Sequence, residues 1–197
     1  LAPGQISFEE MQNIYRYNNI NSETAVYAVI ADPVVHSQSP LVHNAALQEL
    51  GINAVYIPIR VPQEHLERFL IDAPKMGIRG ISITIPHKEA VAQLLTKVDR
   101  VIADIGAANT VIYSDLGMVG YNTDSRAAID SLETRLPDRE DYLASKTALV
   151  LGAGGAAKAV AYSLIRRKAT VVVASRTQQR AIQLAEQLGC RAVPWRS

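Results

Sequence analysis

Thr147-Ala-Leu-Val-Leu-Gly-Ala-Gly-Gly-Ala-Ala157, followed by Val171-Val-Val-Ala-Ser-Arg-Thr177, decides the fold of this chain. The first stretch reads as a buried strand, a glycine turn and the opening of a helix; the second reads as a parallel strand ending at an arginine. Gly152 permits the tight turn, Gly154 lets backbone approach a pyrophosphate, and Ala157 is small enough for close helix-to-strand packing, as G-x-G-x-x-G/A requires. Gly155 and Ala156 open the helix, whose free N–H groups face the phosphates. A strand-turn-helix without a nucleotide is the plainer alternative, and the flanking apolar strands argue against it.

The turn after the second strand offers Ser175, Arg176 and Thr177 where an NAD site would place a carboxylate for the ribose 2′-OH. A guanidinium pairs with a 2′-phosphate through charge-assisted bonds and stacks on adenine, so Arg176 selects NADP. Arg180 is either a second phosphate contact or a solvated helix residue.

Outside this motif, 48% hydrophobic residues in 197 and a net charge of +1 are enough for a core and exclude both disorder and a basic nucleic-acid surface. No apolar run approaches the roughly 18 residues of a membrane span, and no leader opens the sequence. The single cysteine, Cys190, excludes an internal disulfide and fits a reducing compartment, the cytoplasm or a plastid. The chain starts at Leu1 and stops as a third strand begins near Arg191–Trp195, whereas a doubly wound cofactor domain has about six strands. A fragment of a longer polypeptide is therefore expected, inactive by itself.

Before Thr147, strands over Ala25–Ala31, Ala54–Val61 and Gly80–Pro86 alternate with helices over Pro40–Leu50, Pro62–Lys75 and His87–Leu95. A hairpin over Ala108–Tyr121 and a helix over Ser125–Leu136 follow. Such alternation predicts an α/β domain with a mostly parallel sheet, joined to the first part of a Rossmann-type cofactor domain with a cleft between them. The predicted divisions are a tail or linker over 1–22, a substrate domain over 23–136, a polar linker over 137–146, and a truncated cofactor domain over 147–197.

His36-Ser-Gln-Ser-Pro40 reads as a helix start, with Ser39 as N-cap and Pro40 at the first helical position. Capping uses one serine; Ser37 is left over, and two hydroxyls beside a helix N-terminus can cradle a carboxylate. In Ile81-Ser-Ile-Thr-Ile-Pro-His-Lys88, strand alternation turns Ser82 and Thr84 to one face and Ile81, Ile83 and Ile85 to the other. Lys88 then stands in the first turn of a helix, where the macrodipole disfavours a cation. It is a candidate proton donor, or else a snorkelling surface lysine screened by Glu89. Asp124 in Tyr121-Asn-Thr-Asp124 is a helix N-cap or a functional carboxylate, and Asn109 a turn residue or a hydroxyl-binding amide. His36, His43, His65 and His87 have no metal-ligand spacing.

Taken together, His36–Pro40, Ser82–Lys88, Ala107-Ala-Asn-Thr110, Gly120–Asp124, Gly152–Ala157 and Ser175–Thr177 resemble the shikimate dehydrogenase family in order and spacing over residues 25 to 195. The resemblance implies NADP-dependent, reversible reduction of 3-dehydroshikimate to shikimate. It places the carboxylate-binding serines on Ser37 and Ser39, substrate-binding hydroxyls on Ser82 and Thr84, the hydroxyl-binding asparagine on Asn109, and the catalytic lysine and aspartate on Lys88 and Asp124. Many bacterial members carry asparagine at the position of Ser82 and at that of Ser175, and a late glutamine of the family would lie beyond Ser197. A quinate/shikimate dehydrogenase using NAD and a non-catalytic quinate-sensing regulator are the rival readings; Arg176 disfavours the first, and the presence of both Lys88 and Asp124 disfavours the second.

Ala2-Pro-Gly-Gln5 and the helix after it, with Ser7 and Glu10 as a capping box, resemble the final loop and helix of a type I dehydroquinate dehydratase. A dehydratase domain upstream in the same polypeptide is expected on that resemblance, a linker helix being the alternative.

Overall fold

The computed structural model describes residues 5–137 and 141–196, so Ala2–Gly4 of the dehydratase-like stretch and part of the expected linker lie outside the described residues. The chain divides into two compact units, one of residues 1–96 and 110–119, the other of residues 97–109 and 120–197.

The first unit opens with α1 (Phe8–Asn13), whose capping box forms as expected: the Ser7 hydroxyl accepts from the Glu10 N–H, and the Glu10 carboxylate accepts from the Ser7 N–H. Its sheet contains β1 (Ala25–Ala31), β2 (Ala54–Arg60), β3 (Ile78–Ile83) and β5 (Thr110–Ser114), in the order β2-β1-β3-β5. β1 pairs parallel with β2 and β3, and β5 runs antiparallel to β3. α2 (Ser39–Glu49) connects β1 to β2, α3 (Leu66–Asp72) connects β2 to β3, the short α4 (Lys88–Ala92) follows β3, and β5 turns through Asp115-Leu116 into β6 (Gly117–Tyr121). Ala28, Ile30, Leu70, Ile81, Ile83 and Val111 are buried almost completely and form the core.

β2 is an edge strand, and its free side is protected chemically. The Asn44 side chain of α2 accepts from the Tyr56 N–H at 2.9 Å and donates to the Tyr56 carbonyl at 2.8 Å. Two residues on, at a position of the same parity, Pro58 has no N–H to leave unpaired. Asn44 is itself buried, so its loss would strand two buried backbone groups, at a cost of about 1–3 kcal/mol each.

Three expected elements are shorter than the sequence suggested. The Pro62–Lys75 helix is regular only over Leu66–Asp72, flanked by 3₁₀ turns at Gln63–His65 and Ala73–Met76, because Pro74 cannot continue the i→i−4 ladder. The Gly80–Pro86 strand ends at Ile83: the Ile85-Pro86 bond is cis, the His87 N–H donates to the Thr84 carbonyl, and Ile85 is 75% exposed rather than packed with Ile81 and Ile83. The His87–Leu95 helix is reduced to Lys88–Ala92.

The second unit adds a short strand and two helices before the glycine-rich motif. β4 (Lys97–Val98) leads into α5 (Arg100–Ile105), which is capped by the Asp99 carboxylate accepting from the Ile102 N–H and closed by Gly106 at φ +65. α6 (Asp124–Glu133) places Ile129 in one core with Val150, Leu164, Val171, Val173 and Leu184. The cofactor-type part then runs β7 (Thr147–Leu151), α7 (Gly155–Arg166), β8 (Thr170–Ala174), α8 (Gln178–Leu188) and β9 (Arg191–Ala192), with parallel strands in the order β7-β8-β9. Two complete strands and the start of a third are therefore present from Thr147 onward, as expected. The division of the chain differs from the expected 23–136 and 147–197: α5 and α6 go with the cofactor-type part because their apolar residues, Ile105 and Ile129, find partners on α7 and α8.

Candidate functional site

In the first unit the candidate residues gather at the carboxyl ends of β1 and β3. β1 leads to Ser37 and Ser39, and β3 carries Ser82 and runs on to Thr84 and Lys88. Ser39 is not the N-cap of α2. Gln38 takes that place with helical backbone angles and no side-chain bond, and its carbonyl accepts from the Val42 N–H, so the helix starts one residue early. The Ser37 hydroxyl instead accepts from the Ser39 N–H at 3.3 Å, which leaves the Ser39 hydroxyl free of capping duty.

Tyr56, which sequence reading missed, belongs to this group. The sheet register pairs Tyr27 with both Tyr56 and Gly80, and Val29 with Ser82, so Tyr56 and Ser82 share one face. The His43 ring stacks on the Tyr56 ring at 4.2 Å between centroids. The Tyr56 hydroxyl is buried without a partner in hydrogen-bond geometry. Burial pushes its pKa up, and the neighbouring Ser82 and Ser39 hydroxyls pull it back. The three hydroxyls converge, and nothing within this set satisfies the phenol; a ligand oxygen would. A half-open cavity of about 300 Å³ runs along the same face, lined by Tyr27, His43, Tyr56, Ser82 and Thr110.

Lys88 is held through its backbone. His87 is fully buried and its Nε2 lies 2.8 Å from the Val61 carbonyl; since a carbonyl only accepts, Nε2 carries the proton. The His87 N–H donates to the Thr84 carbonyl and the His87 carbonyl accepts from the Val91 N–H. Three bonds on one residue thus fix the start of α4, where Lys88 is the first helical residue.

In the second unit Asn109 and Asp124 come together. Asn109 Nδ2 donates to Asp124 Oδ1 and to the Thr123 hydroxyl, each at 2.8 Å, while Asn109 Oδ1 accepts from the Thr123 N–H at 3.0 Å. Asp124 is not a cap: Thr123 is the residue before α6, and its side chain makes no capping bond to the helix. The segment is braced by Asp99, whose carboxylate accepts from the Asn122 N–H, and by the buried Asn122 side chain, which donates to the Ala107 carbonyl. Both simpler readings of Asn109 and Asp124, turn and cap, give way to a fixed amide–carboxylate pair.

The cofactor-type residues line one cavity of about 560 Å³, formed by Leu151, Gly152, Gly154, Ser175, Arg176, Thr177, Arg180 and Trp195 among others. Gly152 has φ +123, a conformation that a side chain would strain, and a Cβ on Gly154 would meet nothing within 4 Å, so the backbone there stands open to a ligand. Gly155 and Ala156 begin α7, and the Ser175 hydroxyl accepts from the Thr177 N–H. These features fit a dinucleotide: an open glycine turn, a twelve-residue helix pointing its N-terminus at the cavity region, and two guanidinium-bearing residues on the rim. Among the described residues no group of three or more His, Cys, Asp or Glu could hold a metal ion, and no helix is long and apolar enough to cross a membrane.

Residues 29–111 match the model of the shikimate dehydrogenase substrate-binding domain, and residues 136–195 that of shikimate/quinate 5-dehydrogenase. The chain is 41% identical to the chloroplastic bifunctional 3-dehydroquinate dehydratase/shikimate dehydrogenase of Arabidopsis thaliana, over 98% of this chain and 33% of that protein. It is 43% identical to shikimate dehydrogenase (NADP(+)) of Methanopyrus kandleri, over 86% of this chain and 58% of the relative. The crystal structure of shikimate dehydrogenase from Aquifex aeolicus superposes with a TM-score of 0.82 at 38% identity, over 88% of this chain and 64% of that one. A Thermus thermophilus enzyme solved with NADP(H) and shikimate gives 0.77 at 39%, over 87% and 63%. The chain thus spans less than two thirds of the length of each of these relatives. With one model matching residues 29–111, which carry Ser37 to Lys88, another matching residues 136–195, which carry the glycine-rich turn, and a solved shikimate dehydrogenase superposing over 88% of this chain, the chain belongs to the shikimate dehydrogenase family.

Proposed function

We propose that the intact protein reduces 3-dehydroshikimate reversibly to shikimate with NADPH. The observation that carries this reading is the presence in one chain of two sets: hydroxyls, a lysine and an amide–carboxylate pair suited to a polyhydroxylated acid, and a glycine turn with Arg176 suited to a 2′-phosphorylated dinucleotide. Residues 23–136 are read as supplying the substrate groups and residues 147–197 as the first part of the cofactor domain. Ser37 and Ser39 bind the carboxylate, with the Tyr56 phenol as an added donor; Ser82, Thr84 and Asn109 bind ring hydroxyls. The cofactor, when bound, supplies the hydride. Lys88 gives the proton to the oxygen that becomes the alcohol, and Asp124 supplies the catalytic carboxylate. Gly152, Gly154, Gly155 and Ala156 present backbone to the pyrophosphate, and Ser175, Arg176, Thr177 and Arg180 take the 2′-phosphate. No carboxylate stands at the end of β8, which supports NADP over NAD.

We also read the protein as carrying a dehydratase domain upstream in the same polypeptide. The support is that the bifunctional relative aligns over 98% of this chain, whereas the dehydrogenases of Methanopyrus kandleri and Aquifex aeolicus align over 86% and 88%. The single cysteine, Cys190, fits a reducing compartment such as the cytoplasm or a plastid; it is half-buried, and burial pushes its thiol pKa up.

The test is an assay of the intact protein with 3-dehydroshikimate and NADPH, scored by chromatography. Shikimate formation with strong preference for NADPH over NADH is expected; formation of no shikimate with either cofactor sinks the reading. A narrower result concerns Tyr56→Phe, which removes an unpartnered buried hydroxyl and so leaves stability equal or slightly raised. It is expected to raise KM for 3-dehydroshikimate about three- to tenfold, the loss of one hydrogen bond. An unchanged KM would remove Tyr56 from the site.

A further inference from the structure

The end of β7, the glycine-rich turn after it and the segment after β8 account for every lining residue of the nucleotide cavity except a tryptophan. β9 pairs in register with β8, Arg191 with Val172 and Ala192 with Val173, and the Val193 N–H still donates to the Val173 carbonyl at 2.9 Å. Pro194 follows and has no N–H, so the ladder cannot be prolonged through it. Trp195 therefore emerges beyond the carboxyl end of the sheet, where ligands of parallel α/β sheets bind, and lines the same cavity as Arg176 and Arg180. It is the only tryptophan of the chain, and its indole is the largest apolar surface any side chain can offer. A flat aromatic face beside two guanidinium groups suits a planar heterocycle carrying phosphate.

Resting on the NADP reading above, we propose that Trp195 is the platform on which the adenine ring of the cofactor packs, while Arg176 and Arg180 hold the 2′-phosphate. The two contacts divide the work. Stacking is blind to the phosphate and contributes equally to phosphorylated and unphosphorylated adenosine; the guanidinium groups discriminate between them.

The test uses 2′,5′-ADP and ADP as probes of the adenosine half, with no nicotinamide and no turnover. In the intact protein, 2′,5′-ADP should quench tryptophan emission along the same saturation curve that calorimetry reports, and Trp195→Ala should abolish that quench. Trp195→Ala should weaken both probes by about tenfold, by the same factor, and Trp195→Phe should restore most of the loss. Arg176→Ala should weaken 2′,5′-ADP alone. Emission unchanged at calorimetric saturation, or Trp195→Ala binding within twofold of the parent, overturns the platform and leaves the NADP reading standing. Failure of the parent chain to bind 2′,5′-ADP at all overturns both. Trp195→Phe as weak as Trp195→Ala, with melting temperature unchanged, also overturns stacking as the cause.

Discussion

Lys88→Ala in the intact protein lowers kcat for 3-dehydroshikimate reduction by about two to four orders of magnitude, the range of a positioned proton donor, and changes substrate binding only a few-fold. The asymmetry follows from when the interaction matters. The ground-state ketone carries no charge on its oxygen, so an ammonium beside it contributes little to binding; the oxygen becomes basic only as hydride arrives. The substitution leaves the scaffold alone, because the start of α4 is fixed by His87, through its ring to Val61 and its backbone to Thr84 and Val91. Steady-state kinetics with separate determination of kcat and substrate dissociation constant checks this. A kcat within fivefold of the parent would remove Lys88 from proton transfer, and a rise in dissociation constant that accounts for the whole effect would make it a binding residue instead.

Arg176→Ala carries the second largest effect. Charge-assisted hydrogen bonds from a guanidinium to phosphate contribute about 1.5–3 kcal/mol each, so NADP(H) affinity should fall by about ten- to a hundredfold. NAD(H) has no 2′-phosphate to lose, and its affinity should stay within about threefold. The preference between cofactors therefore collapses through one of its two terms only. Arg176 lies on the cavity rim with Ser175 and Thr177, a turn pinned by the Ser175 hydroxyl and the Thr177 N–H, so truncating the side chain need not move the loop. Calorimetric titration of both cofactors decides it; equal losses for NADP and NAD would show that Arg176 acts on the shared adenosine rather than on the phosphate.

The parts legible from sequence were those specified by short-range chemistry. β1 occupies Ala25–Ala31 as read, since an apolar run bounded by Thr24 and Asp32-Pro33 leaves little choice. β7, α7 and β8 followed from the glycine turn and its apolar flanks. α5 was missed although Asp99 and Gly106 mark its two ends, because six residues show too little periodicity to stand out. Ser39 and Asp124 sit where a cap is plausible by residue type, but the backbone before each is already helical, so the helices begin without them. That displacement relieves both side chains of capping, and Asp124 pairs with Asn109 instead. Tyr56 could not be found from sequence, since its nearness to Ser39 and Ser82 depends on the register of three strands and on where α2 lies across them. The division of the chain was illegible for a similar reason: whether Ile105 and Ile129 serve the first core or the second is settled by packing partners far along the chain.

Transfer of a labelled hydride tests the central claim most directly. The intact protein is given 3-dehydroshikimate and NADPH carrying deuterium at the transferring position of the nicotinamide, and the product is examined by mass spectrometry and NMR. One deuterium on the carbinol carbon formed from the ketone, with none acquired from unlabelled water at that carbon, is the predicted result. Shikimate without deuterium from either face-labelled cofactor, or label left wholly in NADPH with the ketone unreduced, would contradict it.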